Sequence, residues 1–249
     1  MIFNFTKPKP KPLVLIGCRQ TWDFIVDTCE QLGIPVLGFV DQYYAGRVDS
    51  VDGVPCLGSE LDLITNPTKF KDAKFFLGNF WDGNSNIETT IKSGYELRLE
   101  RMQLVDNLNL PCYTLIDPRS MISKNCEFGI GTYIGRQVNI RAGARVGRHC
   151  TITDASGFAN DVTLGDNCVL SAGVYLMSNV VLGNNVYVGT RATVLNGHSS
   201  KQSQVTIGDD CKIHANALVT KDMEPGTTAV FNDRILKRND LNKGEANGN

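Results

Sequence analysis

Asn160 and Asp161 stand side by side in DASGFANDVTLGDNCVL, residues 154–170, and together they offer an amide and a carboxylate to a reacting group. An asparagine side chain takes no proton at neutral pH, so Asn160 is no general base. Its carbonyl can orient a nucleophile, and its NH2 can donate to a developing oxyanion. Asp161 can fix Asn160 or receive charge. A proton acceptor has to come from elsewhere, and the chain holds three histidines. His149 precedes a cysteine in VGRHCTI and covers an edge, His214 follows Ile213, and His198 lies in the polar run NGHSSKQSQ. A loop can deliver a base that regular structure lacks, so His198 joins Asn160 and Asp161 as a catalytic candidate.

The segment around Asn160 keeps time with a six-residue beat. Stepping by six from Ile122 meets Phe128, Ile134, Ile140, Val146, Ile152, Phe158, Leu164, Leu170, Leu176, Leu182, Val188 and Val194, every one large and apolar. Two positions earlier runs a column of small or β-branched residues, from Cys126 and Thr132 through Val138, Ala144, Cys150 and Ser156 to Ala192. Glycine often follows the large residue, as at Gly129, Gly147 and Gly165, where a corner needs a backbone without Cβ. A helix has period 3.6 and a lone sheet period 2, so neither explains this pattern. A solenoid of short stacked parallel strands does, with Cys126, Cys150, Cys168 and Cys211 as small interior fillers. The beat breaks once, at residues 195–206, and resumes at Ile207, Ile213 and Val219. A loop is expected to leave the solenoid there without disturbing its register.

The first half obeys a different rule. LVLIGC and PVLGFVD read as buried strands flanking the amphipathic WDFIVDTCEQLGI, GVPCLG as a turn and short strand, and KFFLGNF as a further strand. NIETTIKSGYELRLERM reads as a helix with a return strand. The expectation is a flexible segment over 1–11, a small Rossmann-like α/β parallel sheet over 12–110, an all-β solenoid over 111–230, and a polar C-terminal segment over 231–249 with a disordered end. The upstream domain and TKDMEPGT are the expected caps of the solenoid.

Lysine and arginine total 25 against 26 aspartates and glutamates, which leaves no electrostatic footprint for a nucleic acid or an anionic membrane. No signal-like or membrane-spanning apolar run occurs, so the chain reads as soluble and cytoplasmic. Cys18, Cys29, Cys56 and Cys112 are scattered without a C-x-x-C pair, and no metal site is expected.

The six-residue period resembles the left-handed parallel β-helix of hexapeptide-repeat acyltransferases, in which three hexads make one triangular coil. With LVLIG, GIPVLGFVD, GVPCLGS, FFLGN, TLIDP and VTKDMEPGT in place, residues 12–238 resemble sugar acetyltransferases of the sialic acid O-acetyltransferase and bacterial amino-sugar N-acetyltransferase type. The resemblance implies a nucleotide-linked sugar held by Gly17, Cys18, Arg19, Asp41, Gly78 and Asn79. It implies acetyl-CoA in a groove between subunits of a homotrimer, along Ser171, Ala172, Gly173, Ser178, Gly189 and Thr190. Backbone N–H groups there would face the oxyanion, and Lys237 in RILKR would lie near the CoA phosphates.

Four departures stand out. GCRQTW has one glycine where the family is glycine-rich, and Asp117, Asn160 and Val169 occupy positions where the family carries histidine. Loss of general-base help lowers a rate by about 10²–10⁴, and an amine acceptor suffers least because its neutral form already attacks. Acetylation of an amino sugar is therefore the leading expectation. Acetylation of a sugar hydroxyl and a noncatalytic trimeric scaffold are the alternatives.

Overall fold

The computed structural model describes residues 9–18, 23–78, 94–196 and 204–230, and the backbone of 234–237. The first unit is a sheet of β1 (Leu13–Ile16), β2 (Val36–Val40), β3 (Ser50–Val51), β4 (Val54–Gly58) and β5 (Lys74–Leu77), in the order β3-β4-β2-β1-β5. Helices α1 (Asp23–Gln31), α2 (Asp62–Thr65) and α3 (Gly94–Asn107) accompany it. All four β1 residues are fully buried, as a central parallel strand covered on both faces requires. The sheet is parallel except for β3, which pairs antiparallel with β4 in a hairpin.

Among the described residues of NIETTIKSGYELRLERM, 94–102, no return strand forms. Gly94–Asn107 is one uninterrupted helix. Its buried residues include Arg98 and Arg101 beside Leu97 and Val105, so charge lies where an amphipathic pattern would place apolar groups.

From Leu115–Ile116 to Leu218–Val219 the chain forms two-residue strands, and strands eighteen residues apart pair in parallel, as Asn139 with Gly157 and Thr151 with Val169. The result is a left-handed β-helix with three faces. Face one starts at Leu115–Ile116, face two at Met121–Ile122 and face three at Glu127–Phe128. The large column and the small column both line the interior, and Cys150, Cys168 and Cys211 are fully buried there. Cys150 and Cys168 each donate their S–H to a carbonyl fifteen residues on, at 3.1 Å. Across the break the partner offset becomes twenty-five, as Val181 with Thr206 and Thr193 with Leu218, so the register survives the insertion.

The glycines meet the expected need for a backbone without Cβ, and the crowding comes from the neighbouring coil. Left-handed backbone falls at Gln137, His149, Ala155, Asp161, Asn167 and their equivalents, three positions after the large residue of the hexad and not at the glycine that can follow it. Those glycines serve close approach between coils: a Cβ on Gly147 would sit 2.5 Å from the Gly165 carbonyl oxygen.

The two units share a core in which Leu115 and Tyr133 of face one pack with α1. Thr28 Oγ1 donates to Asp117 Oδ2 at 2.9 Å, and Arg119 donates to both Asp117 oxygens and to Asp27. The Arg119 side chain first, then its backbone N–H and Thr28, hold the fully buried Asp117 carboxyl down at about 2. Asp117 thus staples the sheet domain to the first coil. At the far end Met223 is buried in the coil core, and β-strand Thr227–Val230 pairs with Arg234–Lys237, so RILKR begins as a strand.

Candidate active site

Each coil turns three corners, and the predicted residues fall on two of them. The corner between faces two and three carries Ala142, Asn160 and Ser178 on successive rungs. The Asn179 N–H donates to the Asn160 carbonyl at 3.0 Å, which locks Asn160 and Ser178 into neighbouring rungs. Asn160 and Asp161 are exposed. Asp161 adopts a left-handed φ of 60°, which aspartate tolerates, and its carboxylate lies against Gly143. Neither side chain has a hydrogen-bond partner among the described residues. The N–H groups of Asn160 and Ser178 likewise meet no acceptor there, whereas Ala159 and Asp161 on either side of Asn160 donate to Leu176 and Ala142.

Ser171, Ala172 and Gly173 form one rung of the corner between faces one and two, and Gly189 and Thr190 lie on the next. The expectation that backbone N–H groups here face an oxyanion needs correction. Those of Ser171, Gly173 and Gly189 donate to Val188, Asp154 and Ile213 at 2.8, 2.9 and 2.7 Å and are consumed by the coil ladder. Only Ala172 and Thr190, both exposed, keep N–H groups without an acceptor among the described residues of these two rungs. His214 follows on the rung after Gly189, with its pKa lowered by burial and then by Lys212.

Face two runs between these corners. Tyr175, 53% exposed, lies across Gly157, where an added Cβ would meet its ring at 2.7 Å. Met121 and Leu218 are exposed on the same face. Val169 is buried on face one between Thr151 and Tyr187, not on the corner that carries Asn160.

In the first unit, Gly17, Cys18, Asp41 and Gly78 converge at the C-terminal ends of β1, β2 and β5. The strand order reverses at β1, and a crevice at such a point is where open parallel sheets take ligands. Gly17 N–H donates to Val40, Gly78 N–H donates to Ile16, and a Cβ on Gly78 would collide with the Gly17 carbonyl. The Asp41 carboxylate is 2% exposed and accepts the N–H groups of Cys18 and Tyr43, each at 2.8 Å. Burial, then Asp41, pushes the Cys18 thiol up to about 12, so it is an inert neighbour and not a nucleophile. Arg101, which sequence reading missed, donates to Asp41 at 2.9 Å. Arg19, Asn79 and His198 lie outside the described residues, as does the Lys237 side chain.

The third corner, between faces three and one, is closed. Arg98 of α3, 1% exposed, donates to Asn167 Oδ1 and to the His149 carbonyl, each at 2.6 Å. Asn167 donates to Asn185 and Asn185 to Asp210, which also receives the Tyr95 hydroxyl. His149 is fully buried with neither ring nitrogen hydrogen-bonded, and burial, then Arg98 and Arg148, lowers its pKa to about 4. It is a neutral filler and no catalytic base. Among the described residues no group of histidine, cysteine, aspartate or glutamate is placed to hold a metal ion, and no helix is long and apolar enough to cross a membrane.

Comparison with known proteins agrees with the coil geometry. Residues 161–196 match the bacterial transferase hexapeptide (six repeats), and residues 204–221 match the hexapeptide repeat of succinyl-transferase. The second unit is a hexapeptide-repeat β-helix, as the six-residue period led us to expect.

The whole two-unit fold recurs in solved structures. A histidine-to-asparagine variant of perosamine N-acetyltransferase from Caulobacter crescentus, in complex with CoA and GDP-perosamine, is 22% identical with a TM-score of 0.76, covering 90% of this chain and 96% of that one. The acetyltransferase domain of PglB from Neisseria gonorrhoeae is 21% identical with a TM-score of 0.74, covering 91% and 99%. WeeI from Acinetobacter baumannii is 20% identical with a TM-score of 0.74, covering 90% and 99%. Among curated proteins, the large subunit of ribonucleoside-diphosphate reductase of Invertebrate iridescent virus 6 is 26% identical over 121 residues, 44% of this chain. The match spans 13% of that protein's length, and its activity is not carried over.

Proposed function

We propose that the chain transfers the acetyl group of acetyl-CoA to the amino group of a nucleotide-linked amino sugar. One observation carries the reading. A single chain joins a parallel sheet whose strand ends converge at Gly17, Cys18, Asp41 and Gly78 to a hexapeptide coil with an open, amide-bearing corner at Asn160. Among the solved structures with this two-unit fold, the histidine-to-asparagine variant of perosamine N-acetyltransferase is in complex with CoA and GDP-perosamine.

The neutral amine attacks the thioester carbonyl, the carbon–sulfur bond breaks, and CoA leaves as a thiolate that takes up the proton the nitrogen loses. The Asn160 carbonyl orients the amine. The open N–H groups of Asn160 and Ser178 are candidate donors to the tetrahedral oxyanion, with those of Ala172 and Thr190 as the donors on the other corner. The reading includes a homotrimer in which a second copy covers face two with its exposed Met121, Tyr175 and Leu218. Its eight free cysteines suit the reducing cytoplasm.

Calorimetric titration with acetyl-CoA, followed by CoA-release assays with nucleotide-linked amino sugars, tests the proposal. Binding at about one site per chain, with CoA released only when an amino sugar is present, is the expected result. No binding up to millimolar acetyl-CoA would replace it with a noncatalytic scaffold.

A further inference from the structure

Among the described residues, Gly17–Cys18 after β1 and Asp41–Tyr43 after β2 border the strand-end crevice of the first unit. Three backbone N–H groups in them are accepted by just two carboxylates. Asp41 takes Cys18 and Tyr43, each at 2.8 Å, and Glu60 takes Gln42 at 2.7 Å. Two carboxylates this close repel each other, and Asp41 is almost fully removed from water. One guanidinium resolves both problems. Arg101 reaches Asp41 Oδ2 at 2.9 Å through Nη2 and Glu60 Oε1 at 2.6 Å through the same nitrogen, while its Nε donates to Glu60 at 2.7 Å. Its side chain is 6% exposed.

Arg101 sits one turn beyond Arg98 on the same helix. Arg98 grips Asn167 and His149 of the coil, and Tyr95, a turn earlier, reaches Asp210. The helix that shapes the crevice is therefore bolted to the β-helix, and the crevice loops are registered to the coil through one rigid element.

We infer that Arg101 is the positioning residue of the nucleotide-sugar half of the site, acting through Asp41 and Glu60 on the Gly17–Cys18 and Gln42–Tyr43 backbone and not by touching the sugar. This rests on the reading that the first unit takes a nucleotide-linked sugar. It also revises the part assigned to Asp41: with Oδ1 on Tyr43 and Oδ2 shared between Cys18 and Arg101, that carboxylate shapes the loop instead of binding the ligand directly.

Lysine in place of Arg101 keeps the charge but loses the planar fork that joins two carboxylates. The test titrates wild type, Arg101→Lys and Glu60→Gln with GDP, UDP and acetyl-CoA, and measures acetyl transfer by CoA release. For Arg101→Lys, affinity for the preferred nucleotide falls by about tenfold, the scale of a lost charge-assisted hydrogen bond. Acetyl-CoA affinity stays within about twofold, and the loss in transfer appears in KM for the nucleotide sugar with kcat retained. Glu60→Gln, which frees one arm of the clamp and keeps an acceptor oxygen, shows the same pattern at smaller size, and it carries the test should the lysine variant fail to fold.

Equal losses for nucleotide and acetyl-CoA, or loss of neither, overturn the inference, since the first marks a general structural role and the second no role. Wild type that binds acetyl-CoA but neither GDP nor UDP removes the nucleotide reading and the inference with it. Wild type that binds a nucleotide but not acetyl-CoA, with the Arg101→Lys loss intact, upholds the inference and removes acetyl transfer.

Discussion

The second and third corners of the β-helix follow the same six-residue rule and differ in the side chain at the middle of each rung. At the third corner these are Arg148, Asp166, Asn184 and Asp209. Each of the first three has its N–H accepted by a side-chain oxygen from the next rung, at 2.7, 2.9 and 2.7 Å. The adjoining row of His149, Asn167, Asn185 and Asp210 is then sealed by Arg98 and Tyr95 of α3. At the second corner the middle residues are Ala142, Asn160 and Ser178, no described side chain reaches back, and their N–H groups stay open. Backbone donors are obligatory bonders, so a corner whose amides are capped is structure and a corner whose amides are open is a place for water or a ligand. The same backbone supplies both.

The sharpest way to break this contrast is to empty the closed corner. Arg98→Ala leaves the Asn167 oxygen and the His149 carbonyl buried without their donor, and it is expected to lower the unfolding free energy by about 3 kcal/mol. Urea denaturation measures it, and a loss below about 1 kcal/mol would show that α3 is not what holds this corner. Next in size is Gly147→Ala, whose Cβ would press on the Gly165 carbonyl; the expected loss is about 2 kcal/mol by thermal or urea unfolding. Ser178→Ala on the open corner serves as its control and should stay within about 0.5 kcal/mol.

Asn160→Ala sharpens the comparison from the functional side. Turnover is expected to fall about tenfold with acetyl-CoA affinity and stability unchanged, measured by CoA release and calorimetry. Unchanged turnover would remove Asn160 from the site.

The last expected effect is read as a slope with pH. His149 has a folded-state pKa near 4 against 6.5 in the unfolded chain, so between those values the unfolded state binds more protons. Stability from this group is complete above pH 6.5 and is lost as pH falls toward 4. His149→Asn, which tolerates the left-handed φ of 54° at this position, should flatten that part of the profile in melts from pH 4 to 7. A slope that persists in the variant would assign it to other groups.

Much of the coil was legible because its constraint is local and repeated. A large residue every six and a small one two places before it call for a solenoid of short stacked strands, and the interior cysteines and the register across the insertion follow from that, while the three-sided coil is what the resemblance implies. The glycine row is legible as positions where a corner needs a backbone without Cβ, while the neighbouring coil that crowds each of them has no signature within one hexad. Helix α3 occupies residues where a return strand is expected, since its buried face sets Arg98 and Arg101 beside Leu97 and Val105, and buried arginines look like solvent-facing ones until their partners are known.

Sequence by itself determined the two-unit plan, the β-helix and its inward columns, and the set of residues at turn positions, since each follows from periodicity and burial acting within a few residues. Tertiary structure alone decided which of those turns are closed. Arg98 meets Asn167 across 69 residues and Arg101 meets Asp41 across 60, and no local pattern encodes such a pairing. It arises when a helix is laid against a corner, where the loss of water makes every unpaired donor and charge find a partner.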